Sequence, residues 1–453
     1  MPDPGTRPQP VFRPGTELAD AGAIPPYDSI GGDNMKIALI SEHASPLATL
    51  GSVDSGGQNV YVAYVARELG RAGHSVDVFT RRDSPDLPPV VRFGQNVRVI
   101  PVPAGPPRFM AKEALLPHME EFSESVIACC AESRPYDVVH ANFFMSGIAA
   151  LRMREEYGTP FVITFHALGK VRRLHQGSAD GFPASRTDIE ELLVASADRI
   201  IAECPQDRCD LVDLYDAQPE RVAVVPCGVD TTELGPGRHP LRKELGIGDD
   251  QFVVLQLGRL VPRKGVDNVI RGIAELRRQH GVEATLLVVG GESDQPDPAL
   301  TPEIGRLAAI AKAEGVAERV IFTGRRARAT LRDFYCGADV FVTTPWYEPF
   351  GITPLEAMAC GCPVIGAKVG GIKHTVVDGV TGFLVPPNEP HALAARLARL
   401  HREPSLGRMF GRAGMRRVRS GFTWQRVTSA LETVYRAVQP APAFQITERT
   451  IGL

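Results

Sequence analysis

The sequence predicts an α/β protein built as two Rossmann-like, doubly wound parallel-sheet domains that face each other across a cleft. Three observations predict it. Short β-branched runs alternate with helical stretches along the chain. Most of those runs are continuously apolar, the pattern of strands covered on both faces. The alternation also stops once, at "CGVDTTELGPGRHPLRKELGIGDD" (227–250), and then restarts. That stretch is rich in Gly, Pro and charge, so it reads as an interdomain linker.

The elements follow in order. Residues 1–34 are rich in Pro, Gly, Asp and Ala without periodicity and read as a disordered tail. Met35 opens the first buried run and is a candidate start of translation. The strands of the first half are "KIALIS" (36–41), "SVDVFT" (75–80), "VRVIPV" (97–102), "YDVVHA" (136–141), "FVITFHA" (161–167), "RIIAE" (199–203) and "VAVVP" (222–226). Strand–helix–strand order implies right-handed crossovers and a parallel sheet. The first domain is therefore set at 35–230 and the linker at 231–250. The second half runs "FVVLQLG" (252–258), "ATLLVVGG" (284–291), "RVIFTG" (319–324), "DVFVTT" (339–344), "PVIGA" (363–367) and "GFLVP" (382–386). The second domain is set at 251–422, a closing helical segment at 423–438, and a loose tail at 439–453.

Composition narrows the class of function. The 453 residues suffice for two domains of about 200 residues. Apolar residues make up 43% and charged residues 23%, as in an ordinary globular protein. A net charge of −3 gives no reason to expect nucleic acid or an anionic membrane as the main partner. No apolar run approaches the roughly 18 residues of a membrane span, and no secretory signal is visible. The eight cysteines show no paired C-x-x-C units, so they read as buried thiols in a reducing compartment, the cytoplasm.

The chemistry-bearing residues cluster at strand ends, where ligands bind in such sheets. In "PWYEPFGITPLEAMACGCPVIG" (345–366), Glu348 lies in a turn just after a buried strand, and Glu356 lies in the next helix. Thr353-Pro354-Leu355-Glu356 has the form of a capping box, which would give Glu356 a purely structural task. The same helix start offers free N–H groups to a phosphate, with Glu356 placed to accept from vicinal ribose hydroxyls. In "LGRLVPRKGVDNVI", Arg259 and Lys264 are either solvated charges or a grip on a diphosphate. Each cation about 4 Å from a phosphate would be worth roughly 4 kcal/mol at an effective dielectric near 20. The chain has no Asp-x-Asp, so a metal-bridged diphosphate is not expected and no metal ligands are assigned. In "SVDSGGQNVYVAYVARELG", Gly56 and Gly57 precede a helix and either form a turn or admit a ligand to the backbone, with Gln58 and Asn59 adding donors. In "VITFHALGKVRRLHQG", His166 ends a buried strand, with Lys170, Arg172 and Arg173 behind it.

Residues 35–438 resemble the retaining GT-B glycosyltransferases of family 4, which include sucrose-phosphate synthases and the mycothiol-type D-inositol-3-phosphate glycosyltransferases. The resemblance rests on the E-x7-E motif "EPFGITPLE", with "GRLVPRKG", "GGQNVYV", "FHALGK" and the "VGG" at 369–371 in the same order. It implies a cytoplasmic hexosyltransferase without cofactor. The first domain would hold the acceptor, the second the nucleotide-sugar donor, and the segment 423–438 would cross back to the first. Arg259 and Lys264 would hold the donor diphosphate, Glu356 the ribose, and Glu348 the transferred sugar. Phe350, Gly351 and Ile352 would present backbone N–H groups, and Gly57 would approach the diphosphate from the other domain. His166 would sit beside the donor sugar. UDP-glucose or UDP-N-acetylglucosamine is the favoured donor, with GDP-mannose next and Arg325 or Arg326 near the base. Transfer with retention would proceed on one face, the donor β-phosphate taking the acceptor's proton.

The acceptor pattern of the mycothiol-type enzymes is a lysine, a tyrosine, a threonine and an arginine. Lys112 and Arg186 match it, whereas Phe143 and Ala167 stand at the two hydroxyl positions. The expected acceptor is therefore small and polar or phosphorylated, met by Asn59, Lys112, Lys170, Arg172 and Arg186, with Arg81, Arg82 and Arg173 as further cations. The competing classes are a nucleotide-sugar 2-epimerase, which has no use for E-x7-E, and a non-catalytic sugar-nucleotide binder.

Overall fold

Each run read as a strand forms one in the computed structural model, which describes residues 34–48, 56–131, 135–177, 180–237 and 241–439. The first sheet comprises β1 (Lys36–Ile40), β2 (Ser75–Arg81), β3 (Val91–Gly94), β4 (Val97–Val102), β5 (Val138–Asn142), β6 (Phe161–Thr164), β7 (Arg199–Ala202) and β8 (Val222–Val224), in the order β3-β4-β2-β1-β5-β6-β7-β8. The second comprises β9 (Phe252–Leu257), β10 (Ala284–Val289), β11 (Val320–Gly324), β12 (Val340–Thr343), β13 (Val364–Ala367) and β14 (Gly382–Val385), in the order β11-β10-β9-β12-β13-β14. The expected tails and the loop residues 52–55 lie outside the described residues, save Asn34 and Gln439.

The all-parallel expectation needs one correction. β3 pairs antiparallel with β4 at the sheet edge. Its side chains alternate between half-buried and exposed, so it lacks the continuous apolar signature of the inner strands. The inner strands are buried along their whole length, β1, β2, β4, β5, β9 and β10 without exception. Each fully buried Val, Leu, Ile or Phe contributes roughly 1.5–3 kcal/mol, so helices on both faces are needed before any strand persists. Within the stretch set as linker, Leu234, Leu241 and Ile247 are buried in the core, and Arg242 bonds to Asp339 at 2.8 Å.

Each sheet reverses its strand order once: β1 lies between β2 and β5, and β9 between β10 and β12. Crevices open at such points, outside the carboxyl ends of the strands. The two crevices face each other.

The chain passes between the domains twice, side by side. Val229 N–H donates to the Phe422 carbonyl at 2.8 Å, and Val229 bridges Thr423. The helix Trp424–Val438 then lies on the first domain. Thr423 caps it, its hydroxyl accepting from Arg426 N–H. Its buried residues Trp424, Val427, Thr428, Leu431 and Tyr435 fall at helical spacing on one stripe. Trp424 stacks on Tyr64 of the helix Gly57–Arg71, with ring centroids 5.3 Å apart, and Tyr435 Oη reaches His140 Nδ1 at 2.6 Å. Among the described residues no helix is long and apolar enough to cross a membrane.

Trp424 is 1% exposed, so truncation leaves a cavity the surrounding backbone cannot close. Trp424→Ala is expected to cost about 3–5 kcal/mol, read as a lowered urea midpoint of the first domain's unfolding.

Candidate active site

A cleft of about 820 Å³ separates the two sheets, lined by loops from both. Its floor on the second domain is the loop after β9. This loop carries Arg259 and then a 3-10 turn, Pro262–Lys264. Lys264 therefore precedes the helix Val266–His280 rather than opening it. Gly265 lets the turn approach the β12 loop: its φ is +66°, and a Cβ there would lie 2.1 Å from the Thr344 carbonyl oxygen. Only glycine fits that contact.

Lys264 Nζ hydrogen-bonds Glu348 Oε2, and Arg263 Nη1 adds a contact at 3.4 Å. Burial alone would raise the Glu348 carboxyl; Lys264, Arg263 and Arg259 outweigh it and hold the group at about 2. Burial and the neighbouring cations Arg263 and Arg259 outweigh the pull of Glu348 on Lys264 and hold its ammonium at about 8. Glu348 is thus ionised, and Lys264 gives up its proton at a lower pH than an ordinary lysine.

Glu348 is kept in place by the loop after β13. Gly370 has φ +41°, and a Cβ there would fall 1.8 Å from the Glu348 carbonyl oxygen. Gly371 N–H donates to the Pro349 carbonyl at 3.0 Å. This is the physical use of the "VGG" at 369–371.

Glu356 corrects the capping-box reading. The helix spans Thr353–Ala359 with Ile352 at its N-cap and no side-chain cap. Its carboxylate instead accepts from Arg328 Nη1 at 2.7 Å and Tyr335 Oη at 2.8 Å. Arg328 also donates from Nε to Tyr64 Oη at 3.2 Å and to Glu233 at 3.3 Å, so it ties the second domain to the first.

The opposite wall belongs to the first domain. Gly57 begins the helix Gly57–Arg71, and a Cβ on it would meet Ile352 Cδ1 at 3.4 Å. A Cβ on Gly56 would lie 3.9 Å from the Arg259 guanidinium carbon. Phe350, Gly351 and Ile352 line the cleft beside them. His166 follows β6 with φ +57°, its ring nitrogens 3.0 Å from Glu203 and 3.1 Å from Asn142. A backbone held in that region costs about 1–3 kcal/mol and persists only where the surroundings enforce it.

The expected acceptor residues separate. Lys112 and Arg172 line the cleft, Arg172 pairing with Asp180 at 2.8 Å. Asn59 lines it too, but its amide is committed to backbone, Oδ1 accepting from Gly56 N–H and Nδ2 donating to the Ser45 carbonyl, both at 3.0 Å. Two expectations are corrected. Lys170 turns to Glu191 at 2.6 Å and over the Tyr215 ring, away from the cleft. Arg186 is 1% exposed, pairs with Glu190 at 2.7 Å, and lies over Phe143, Phe144 and Phe182 behind the cleft wall. Of the further cations, Arg81 bonds to the carbonyls of Ala104, Pro106 and Arg108, and Arg82 to those of Leu87 and Pro101. Arg173 reaches the Pro183 carbonyl. These three brace loops. Arg325 and Arg326 line the cleft.

Sequence reasoning missed Arg263, Arg328 and Glu203. Glu203 had a signal, since it is a carboxylate at the end of a buried strand, as Glu348 is. Arg328 had none, because its partners lie 28 and more residues away.

Known proteins resemble this chain over both domains. The family model described as Glycosyltransferase Family 4 matches residues 55–233, and that described as Glycosyl transferases group 1 matches residues 238–417. The chain is similar to the D-inositol 3-phosphate glycosyltransferase of Actinosynnema mirum, 38% identical over 407 residues, covering 88% of this chain and 96% of that one. The enzyme of the same name from Kineococcus radiotolerans is 38% identical over 426 residues, covering 90% and 97%. Among solved structures, sucrose-phosphate synthase from Thermosynechococcus elongatus superposes with a TM-score of 0.81 at 32% identity, covering 89% of this chain and 99% of that one.

The cationic floor needs Lys264 protonated to hold an anion. Pyrophosphate affinity, measured by calorimetry, is therefore expected to fall as pH rises through about 8, with proton uptake on binding above that pH. Lys264→Arg, charged throughout, should flatten that fall; an unchanged pH dependence would count against Lys264 as its source.

Proposed function

The chain belongs to the family 4 glycosyltransferases, a group 1 enzyme with the GT-B fold, and on that footing we propose that it moves a hexose from a UDP-sugar to a small phosphorylated acceptor with retention of anomeric configuration. The observation that carries the proposal is the set of three cations around one carboxylate: Arg259, Arg263 and Lys264 gathered on Glu348 at the cleft floor. An excess of positive charge there suits a diphosphate, and a carboxylate held ionised suits a sugar hydroxyl as acceptor of its hydrogen bond.

In the bound state Arg259 and Lys264 hold the diphosphate, and Lys264 moves from Glu348 towards it. Backbone N–H groups of Gly57 and of Phe350–Ile352 approach from the two walls. Glu356 takes the ribose and Glu348 the sugar. UDP-glucose or UDP-N-acetylglucosamine is the donor. The glycosidic C–O bond breaks as the acceptor oxygen attacks from the same face, and the departing β-phosphate takes the acceptor's proton. Arg259 and Lys264 stabilise the charge growing on that phosphate without a divalent ion. Both substrates are oriented before reaction, which supplies much of the rate.

The acceptor's phosphate faces Lys112 and Arg172, the two cations of the expected set whose side chains line the cleft. The relatives' name, D-inositol 3-phosphate glycosyltransferase, supports a phosphorylated acceptor. Phe143 packs against His43 and Phe144, each at 4.9 Å, and offers no hydroxyl, which favours a different polyol phosphate. Free thiols at all eight cysteines support work in the cytoplasm.

Two measurements test the assignment. Glu348→Gln is expected to lower kcat at least about 100-fold while UDP binding stays detectable by calorimetry; a fully active variant refutes the role. Lys112→Ala and Arg172→Ala should each raise acceptor KM roughly tenfold with donor KM unchanged, and chelator should leave turnover intact.

A further inference from the structure

His166 sits in a turn that residues other than glycine seldom adopt. Ala167 N–H reaches back to the Phe165 carbonyl at 2.6 Å around it, and its φ is +57°. That is the rarer, strained hand of γ-turn. The ring shows what enforces it. Nε2 lies 3.1 Å from Asn142 Oδ1. The Asn142 amide is oriented independently, because its Nδ2 donates to the carbonyls of Ile40 and His140, each at 3.3 Å. An amide oxygen therefore faces the ring. It can only accept, so Nε2 carries a proton.

Nδ1 lies 3.0 Å from Glu203 Oε1, and the same oxygen receives the Cys227 thiol at 3.0 Å. Burial and then the Glu203 charge push the Cys227 thiol well up, so it stays S–H and donates. Burial would raise the Glu203 carboxyl, but His166 and Cys227 outweigh it and hold the group below its ordinary value. The same Glu203 oxygen that accepts the Cys227 thiol faces Nδ1, so an acceptor stands on that side too and Nδ1 carries a proton as well. The ring is an imidazolium, with an acceptor on each nitrogen. The other groups facing it are consistent. Tyr61 meets it edge-on at 4.9 Å, and His140 behind it is held neutral, at about 3, by burial and by the charge on His166. Glu348 faces Glu203 across the cleft.

Both ring nitrogens are committed to protein, so the side chain anchors the turn. We propose that Glu203 is a positioning residue for transfer: its carboxylate keeps His166 doubly protonated and clamps the strained turn that forms the sugar-side wall of the cleft. The proposal rests on the transferase reading, in which that wall meets the donor sugar. Glu203 itself lies just past the end of β7, 4% exposed, and lines the cleft beside His166 and Cys227. The pairing has the logic of an orienting carboxylate behind an imidazole, where the carboxylate fixes protonation and direction and does not touch the reacting atoms.

Glu203→Gln keeps the shape and removes the charge. In a nitrogen NMR spectrum of protein isotopically labelled in histidine, with the His166 signal assigned by its loss in His166→Asn, wild type should show His166 doubly protonated near neutral pH. Glu203→Gln should show it singly protonated. The same variant is expected to lose kcat roughly 10- to 100-fold with donor KM changed less than about twofold. Glu203→Asp, which keeps the charge, should recover much of the loss. A neutral His166 in wild type overturns the proposal whether or not the variant folds. Unchanged kcat in Glu203→Gln, or an Asp variant no better than Gln, overturns it too. Should wild type transfer no sugar from any nucleoside-diphosphate sugar, the transferase reading fails, while the spectrum still decides the charge on His166.

Discussion

The structure depends on keeping a carboxylate ionised in a buried place. Removing one partner of a buried ion pair costs about 3–5 kcal/mol, because the other charge is left without water or counter-ion. Glu348 meets that demand with Lys264, Arg263 and Arg259, all from the single loop after β9. Three cations for one carboxylate are more than the carboxylate needs, and burial together with Arg263 and Arg259 holds the Lys264 ammonium down at about 8. The floor of the cleft is therefore short of negative charge before any ligand arrives. The glycines at 265 and 370 follow from the same requirement, since only backbone packed on backbone brings the loops after β9, β12 and β13 this close.

The two domains are coupled through that floor as well as around it. Arg328 bonds to Glu356 on its own domain, to Tyr64 on the other, and to Glu233 between them. Tyr64 in turn carries the stacked Trp424 of the returning helix. On the far rim His175 stacks on Tyr347 at 4.9 Å, and Lys373 bonds to Gln206. The chain crossings at Val229 and Thr423 lie together, leaving the rest of the boundary to side-chain contacts. Rotation about the paired crossings would have to break the Arg328 and Tyr347 contacts.

The strands were legible because burial on both faces leaves an uninterrupted apolar run, and β3 was not, because one of its faces is wet. Glu348 was legible from its position at the end of a buried strand, since burial there demands a reason. Glu356 was ambiguous for a physical cause: Thr-Pro-Leu-Glu fits a capping box equally well, and what decides against it is Arg328, a partner distant in sequence. Lys170 and Arg186 show a second limit. The motif around each was readable, but the direction of each side chain is set by a carboxylate, Glu191 on the following helix for Lys170 and Glu190 one turn along its own helix for Arg186. A cation in the sequence does not announce which side of a wall it stands on.

The walls of the cleft differ in charge, and the difference orders what can lie between them. On the second domain the cations outnumber the carboxylate. On the first, at the level of His166, charges are paired at close range: His166 lies against Glu203 and Arg172 against Asp180. Electrostatic energy falls with distance and is strongest where water is excluded, so an extended anion with a neutral end takes one orientation. In the proposed complex its charged part settles on the loop after β9, and its neutral part lies against the turn at His166. Reversing it would set the anionic groups beside Glu203 and leave the floor unbalanced. The strain at His166 belongs to this arrangement, because a relaxed turn would release the ring from Glu203 and leave a buried carboxylate facing the cleft.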